Sequence, residues 1–391
     1  MGSYGRDRYG QAYYGVNGVD LAVSTFVISD ALQAILNGDD PSPIECAASV
    51  TIGGAAIPFI KNIKIERGLA ERMGRADITI LCDPTDLPAT IAENAEVVIS
   101  TEITFSGGSL SEQIFRGRVD KWTAPNRGEI EGRLECYDGA KRLDDVDIRG
   151  SMTGDVANWI TDRAALLDMG TGFAVIERGD PVEIPAPHNL TGYRSLMQAA
   201  VALVSAFNQR YIFFTGAGEM VLFDPRTAAA EAPQVTFARA ISFREKLDTS
   251  KRFNRVRYSN YVGYAHDFVT YQLTVTPEGA NTITASNVST TPILSGIYDD
   301  LADQAIFGVL DLSGGVQNNI CTTVEQLEAY AESVANESQR KRYSFGNRFN
   351  PLLEIGTTHA FQGDAYFIAR IRHNISTTAL WTTDLEFWGV A

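Results

Sequence analysis

The sequence is poor in the residues that make chemistry. Its four cysteines, Cys46, Cys82, Cys136 and Cys321, stand far apart and form no CxxC pair, so no zinc or iron–sulfur spacing is present. Cys82 and Cys136 lie in alternating strand patterns, and all four read as reduced core thiols of a chain made in the cytoplasm. The four histidines, His188, His266, His359 and His373, are scattered, with no HExxH and no second ligand three or four residues away. His373 follows an alternating stretch and reads as a strand-end surface residue. There is no GxSxG elbow, no GxxxxGKS/T and no GxGxxG after a strand; Gly216 and Gly218 suit a hairpin turn better than a phosphate cradle. Asp145-Val-Asp147-Ile-Arg149-Gly150 opens like a calcium loop, but Arg149 takes the fifth position and Val156 the twelfth, where a bidentate Glu is needed. Asp299 and Asp300 are adjacent acids in a polar stretch, which water normally solvates. The reading is therefore no enzyme, no cofactor, and no catalytic, cofactor-binding or metal residue.

Cations and long apolar runs are also short. Lys and Arg number 33 against 48 Asp and Glu, a net charge of −15, which disfavours phosphate binding, because cations must outnumber carboxylates locally for counterion release to drive it. The longest nearly apolar stretch, 197–207, falls far short of the roughly 20 residues that span a bilayer. The first residues are rich in Tyr and Gly and lack the apolar run of a cleavable signal. A soluble protein with no stable membrane insertion is expected.

What is present is strand pattern. A chain of 391 residues, 45% hydrophobic, has room for two to four domains. Residues 1–44 read as a Tyr/Gly-rich N-terminal arm, with Tyr4, Tyr9, Tyr13 and Tyr14 among glycines; such an arm builds no core alone and is expected to dock on a neighbour. From 45 to 145, alternating stretches at 48–52, 59–66, 75–81, 97–105, 113–121 and 129–137 are separated by Gly, Pro and Asn, as in a closed or nearly closed β-barrel. Residues 146–240 read as an α+β insert. Thr153 is a cap for a helix bearing Val156, Trp159, Ile160 and Leu167, a second helix runs over 191–208, and a hairpin follows. From 241 to 391 the strand pattern resumes as a second barrel. A hairpin is expected from 254–261 and 265–275, a long polar loop over 277–319, and an embedded helix over 322–342, where Thr322 and Glu325 match a capping box.

The two barrels look alike. Phe115-Arg-Gly-Arg118-Val119 matches Phe367-Ile-Ala-Arg370-Ile371, and Arg133-Leu134-Glu135-Cys136-Tyr137 matches Asp384-Leu385-Glu386-Phe387-Trp388, with Phe115 and Leu134 19 positions apart and Phe367 and Leu385 18 apart. Two matched strands at matched spacing indicate a duplicated β-module. The fold class is thus mainly β (α+β): two similar antiparallel β-barrel tube-type domains, an inserted α+β domain and an embedded helix.

This order, with Phe115 to Val119, the Leu134-Glu-Cys-Tyr137-Asp-Gly-Ala140 step and the ending Ala365-Tyr-Phe-Ile-Ala-Arg-Ile-Arg-His373, resembles the tail or baseplate hub proteins of long-tailed bacteriophages. The same family includes the hubs of type VI secretion spikes and contractile injection systems. The resemblance spans 45–391 and has no counterpart for the arm or the 277–319 loop. It implies a structural homotrimer in the virion tail, assembled in the host cytoplasm, whose six barrels form a pseudo-sixfold ring. Its implied partners are the hexameric tail tube or distal tail protein above, a threefold spike, fibre or tip protein below, the tape-measure protein, and DNA in transit through an acidic channel. The alternatives are another tail-tip structural protein such as the distal tail protein, which carries one barrel, and a glycan-binding or cell-wall-degrading tail protein. A glycan binder would use the 277–319 loop and Trp381.

Overall fold

The computed structural model describes residues 45–389, apart from 70–72, 82–90, 106–107, 126–130, 168, 170–172, 191, 207–209, 232–234, 238–241, 247–251, 261–269, 276–280, 287–293, 319, 322 and 362. The N-terminal arm, Cys82 and His266 lie outside the described residues. Two compact units are present. Ala206–Asn208 and Thr249–Gln339 make the second, and the other described residues make the first.

In chain order, the first unit begins with β1 (Glu45–Ile52), β2 (Ala55–Ala56), β3 (Ile60–Gly68), β4 (Arg75–Leu81), β5 (Glu96–Phe105), β6 (Gly108–Thr123) and β7 (Glu131–Tyr137), then a short helix, Gly139–Asp144. Next come β8 (Ser151–Asp155), helix Val156–Ala164, β9 (Val175–Arg178), β10 (Glu183–Asn189), helix Leu196–Ser205, β11 (Tyr211–Phe214), β12 (Met220–Phe223) and helix Pro225–Ala230. β13 (Val235–Phe237) and β14 (Ser242–Lys246) precede the second unit, which holds β15 (Arg255–Ser259), β16 (Thr270–Val275), β17 (Asn281–Ser286), β18 (Ser295–Asp299), helix Leu301–Phe307, β19 (Val316–Gln317) and helix Val324–Gln339. The first unit then ends with β20 (Arg342–Arg348), β21 (Thr358–Phe361), β22 (Asp364–Ser376) and β23 (Thr382–Gly389).

Strand periodicity sets the core. In β4 the buried residues are Ala76, Ile78 and Ile80, and in β23 they are Thr383, Leu385, Phe387 and Trp388. Each fully buried Ile or Leu contributes roughly 1.5–3 kcal/mol. Thirteen strands join in one sheet, ordered β14-β20-β23-β22-β3-β4-β7-β6-β5-β1-β2, with β21 added to β22 and β13 to β21. Among the described residues this path is open and no closed barrel is formed. The two expected barrels are instead continuous through β22. Its first part pairs with β21 and its last part, from Arg370 to Ser376, pairs antiparallel with β3.

Several local expectations change. The first insert helix starts after Asp155, whose Oδ1 accepts from Asn158 N at 2.7 Å, while Thr153 lies in β8. A carboxylate at this position receives the backbone donor and favours the positive helix end, so it displaces the neighbouring threonine as cap. The second helix begins after Ser195, whose Oγ accepts from Gln198 N at 3.1 Å and donates to Asp144 Oδ1 at 2.6 Å. In the second unit β15 pairs with β18 and β19, and β16 with β17, so among the described residues the strands expected to form a hairpin, 254–261 and 265–275, take other partners. The stretch expected to loop over 277–319 carries β17, β18, the helix Leu301–Phe307 and β19. Its polar composition hid short alternations such as Asn281-Thr-Ile-Thr-Ala-Ser286. The helix expected to be embedded in the second barrel, Val324–Gln339, instead sets Leu327, Ala331 and Ala335 with Val256, Tyr258 and Cys321 in the second unit's own core. The helix expected to reach 342 ends at Gln339, and Arg342 already belongs to β20.

Candidate functional site: a repeated module and its charged face

The two hairpins matched by sequence, β6 with β7 and β22 with β23, are both antiparallel and bulge at the same point. In the first, Val119 faces Cys136 and Lys121 faces Glu135, leaving Asp120 unpaired. In the second, Ile368 faces Phe387 and Arg370 faces Glu386, leaving Ala369 unpaired. Leu134 is thereby equivalent to Leu385 and Cys136 to Phe387, as the sequence suggested. Val119 is equivalent to Ile368, however, and not to Ile371, so the sequence match of the earlier strand is three residues out. Alternating strands offer several plausible registers, and the bulge selects one.

The equivalence spreads outward from these hairpins. β4 flanks β7 as β20 flanks β23, which sets Ala76 at Tyr343 and Ile78 at Phe345. β3 flanks β4 as β14 flanks β20, which sets Ile63 at Phe243. β5 flanks β6 as β21 flanks β22, which sets Val97 at His359 and Ile99 at Phe361. The orders β3-β4-β7-β6-β5 and β14-β20-β23-β22-β21 are therefore one five-strand module used twice. Equivalent positions agree in burial at Ala76 and Tyr343, Ile78 and Phe345, Val97 and His359, and Ile99 and Phe361.

The solvent face of the central strands is charged and self-paired. Glu66 takes ion pairs from Arg370 and from Arg372, the latter at 2.7 Å. Arg75 Nη2 lies 2.8 Å from Asp77 Oδ1 and 3.6 Å from Glu135 Oε2, Arg133 approaches Asp77 at 3.8 Å, and Lys61 pairs with Glu131. Opposite charges at cross-strand positions hold register. The acidic excess of the chain is not concentrated here, because each of these carboxylates has a cation beside it.

Beneath this face lies a buried polar junction. Arg67, on β3, donates through Nη1 to Phe214 O at 3.2 Å and to Glu354 Oε1 at 2.7 Å, and is 3% exposed. Glu354 Oε2 also accepts from Gly216 N at 3.1 Å. Asp138, in the step from β7 to its helix, accepts from Gly74 N at 2.6 Å and Ala140 N at 3.0 Å. Burial pushes its carboxyl up to about 7, against the pull of these two donors and of Arg67.

The residues weighed for chemistry are not brought together. His188 meets Tyr193 Oη at 3.1 Å, and His359 shares a 2.7 Å hydrogen bond with Thr357 Oγ1. His373, expected at a strand-end surface, is fully buried in β22 beside Phe349, and its Nδ1 lies 3.0 Å from Thr383 Oγ1. An alternating strand buries every second side chain, and His373 falls on the inward parity of Ile371 and Ile375. Burial holds both His359 and His373 down at about 3. Asp145 pairs with Lys141, and Asp147 with Arg149. Asp299 accepts from Arg255 Nε at 2.7 Å and from Gln304 Nε2 at 2.6 Å, and Asp300 caps the helix Leu301–Phe307, so this acid pair builds local structure. Gly216 and Gly218 form the β11–β12 turn, where Gly218 N donates to Thr215 O at 3.0 Å. Among the described residues no three His, Cys, Asp or Glu side chains are grouped to hold a metal, and no helix is long and apolar enough to cross a membrane.

No protein-family model matches the sequence, and no curated protein matches it. Solved structures do match its fold. A tail protein from Neisseria meningitidis MC58 gives a TM-score of 0.61 at 14% identity, covering 88% of this chain and 96% of its own. The 43 kDa tail protein of prophage MuSo2 from Shewanella oneidensis gives 0.60 at 15% identity, covering 88% and 98%. A prophage tail protein from Listeria monocytogenes gives 0.51 at 10% identity, covering 87% and 94%. The fold is that of phage and prophage tail proteins, the group the sequence resembled.

Proposed function

We propose that this chain is a structural hub of a phage tail, a homotrimer whose three copies present six similar modules in a ring. The observation that carries the reading is the five-strand module used twice, with the same order and the same bulge. Two quasi-equivalent modules per chain turn threefold symmetry into six positions, which is what a joint between a hexameric tube and a threefold spike, fibre or tip requires. In this reading 45–145 and the parts of 241–391 outside the second unit are the two tube-type barrels, completed in the assembly, and 146–240 is the insert between them. The distal tail protein and tape-measure protein are the neighbours proposed on the tube side.

The charged face supports a passage for DNA. A phosphate approaching Arg370, Arg372 or Arg75 competes with a carboxylate already in place, so little counterion release rewards adhesion. The test of the hub is solution mass by native mass spectrometry, followed by negative-stain class averages. A mass of three chains with sixfold ring views is expected. A chain that stays monomeric alone and with a tail-tube partner overturns the reading.

A further inference from the structure

Within one chain the two modules are joined in a definite way. The last part of β22 pairs antiparallel with β3, Arg372 facing Glu66 and Ile375 facing Ile63. β22 belongs to the second module and β3 to the first. Quasi-equivalence requires a reciprocal joint, in which the last part of β6 meets the outer edge of β14. Both of those edges are open among the described residues. β14 pairs only with β20, and on the side away from β7 the last backbone partners of β6 are Ala95 and Asn94, both bonded to Val119, so the edge is open from Asp120 to Thr123. They stand at different points of one sheet, so a single copy does not supply both sides of this joint.

Burial marks the same gap. Ile63 is 0% exposed, with Ile375 of β22 opposite it, whereas the equivalent Phe243 stays 36% exposed even with the Tyr343 ring stacked at 5.4 Å and the Phe361 ring at 4.9 Å. Ile371 is likewise 0% exposed, and its equivalent Trp122 is only partly buried. A part-exposed aromatic on an open strand edge is a template for strand addition.

We infer that the end of β6 in one copy adds antiparallel to β14 of a second copy, reproducing between chains the β22 to β3 joint found within each. Transferring the register places Thr123 opposite Lys246 and Ala124 opposite Glu245 of the neighbour. The interface is heterologous. Each copy offers one edge of each kind, so identical contacts propagate in one direction and close when the rotation per copy is a third of a turn. The occupant is another copy of this chain, because the partner edge that fits is the one whose equivalent already fits. The inference rests on the ring reading and adds the surface by which the ring closes.

Oxidative cross-linking tests it. Thr123→Cys with Lys246→Cys, and separately Ala124→Cys with Glu245→Cys, are introduced into the full chain, with each single substitution as control. Consecutive antiparallel pairs alternate between wide and close Cα spacing, so one of the two pairs has the geometry a disulfide needs. A covalent trimer in at least one double variant, absent from the single variants, is expected on non-reducing gels. Trimeric mass with no cross-link in either variant overturns this contact and leaves the ring standing. A monomer by mass, with no cross-link, overturns both. A ladder beyond three chains supports the edge pairing and overturns its closure.

Discussion

Arg67 Nη1 lies 2.7 Å from Glu354 Oε1, an ion pair between residues 287 positions apart that fixes β3 to the approach to β21. The partners are unequal. Arg67 is 3% exposed and Glu354 29%, and Glu354 keeps backbone donors from Gly216 and Ile355. Glu354→Ala strands a buried guanidinium with Phe214 O as its other acceptor, a loss of about 3–5 kcal/mol. Arg67→Met leaves a carboxylate that still has donors and water, a loss of about 1–2 kcal/mol. Urea unfolding followed by tryptophan fluorescence reads the first unit, since Trp122, Trp159, Trp381 and Trp388 all lie there. The reverse order of losses would show that Arg67 does not depend on Glu354.

Stability depends on pH through three buried groups that act in opposite directions. His359 and His373, held near 3, must stay neutral in the fold. Their contribution is complete above the unfolded histidine value and is lost as pH falls below about 6.5, at about 1 kcal/mol per pH unit for each. Asp138, raised to about 7, favours the fold when protonated; its contribution is complete at acid pH and is lost as pH rises from about 4 to 7. Two histidines outweigh one carboxyl, so between pH 6 and 4 the unfolding free energy falls by about 1 kcal/mol per unit. His373→Gln is expected to flatten this slope and Asp138→Asn to steepen it. Urea midpoints measured across pH 4 to 8 decide both.

The sequence made the duplication visible because Leu134 and Leu385 sit in strands with the same alternation and the same following aromatic or thiol core position. The three-residue error at Val119 arose because a bulge leaves no sequence mark, and the bulge alone sets the register. The join of β22 to β3 depends on pairing across some 300 positions, which periodicity does not report. His373 shares the inward parity of Ile371 and Ile375, which sets it in the core and not at the strand-end surface. Arg67 and Glu354 are each unremarkable in sequence, and only the fold brings them together.

Gly117 stands on β6 where a side chain has no space. A Cβ there would lie 2.2 Å from Tyr137 O and 2.8 Å from the Phe115 ring. The carbonyl belongs to the adjacent strand and yields only if β6 and β7 separate. Gly117→Ala is expected to cost about 3 kcal/mol. Gly54→Ala, with φ +81° and open space around it, should cost only the left-handed backbone, about 1–2 kcal/mol. Equal losses by urea unfolding would remove the packing argument.

Asn254 is the corresponding weak point of the second unit. It is fully buried, and its Nδ2 donates to Asp303 Oδ2 at 3.1 Å and Gly308 O at 2.7 Å, while its Oδ1 accepts from Leu310 N at 2.7 Å. These bonds hold the end of the helix Leu301–Phe307 against the entry to β15. Asn254→Ala leaves Gly308 O and Leu310 N without this partner and is expected to cost about 2–3 kcal/mol. Asn254→Asp restores an acceptor for Leu310 but sets a second carboxylate against Asp303 and removes the donor to Gly308. It should therefore destabilise more than alanine at neutral pH and recover toward it as pH falls below 4. Hydrogen exchange of peptides from β15 and the helix Val324–Gln339 measures the loss. Aspartate exchanging no faster than alanine at pH 7 would refute the charge argument and leave the hydrogen-bond argument intact.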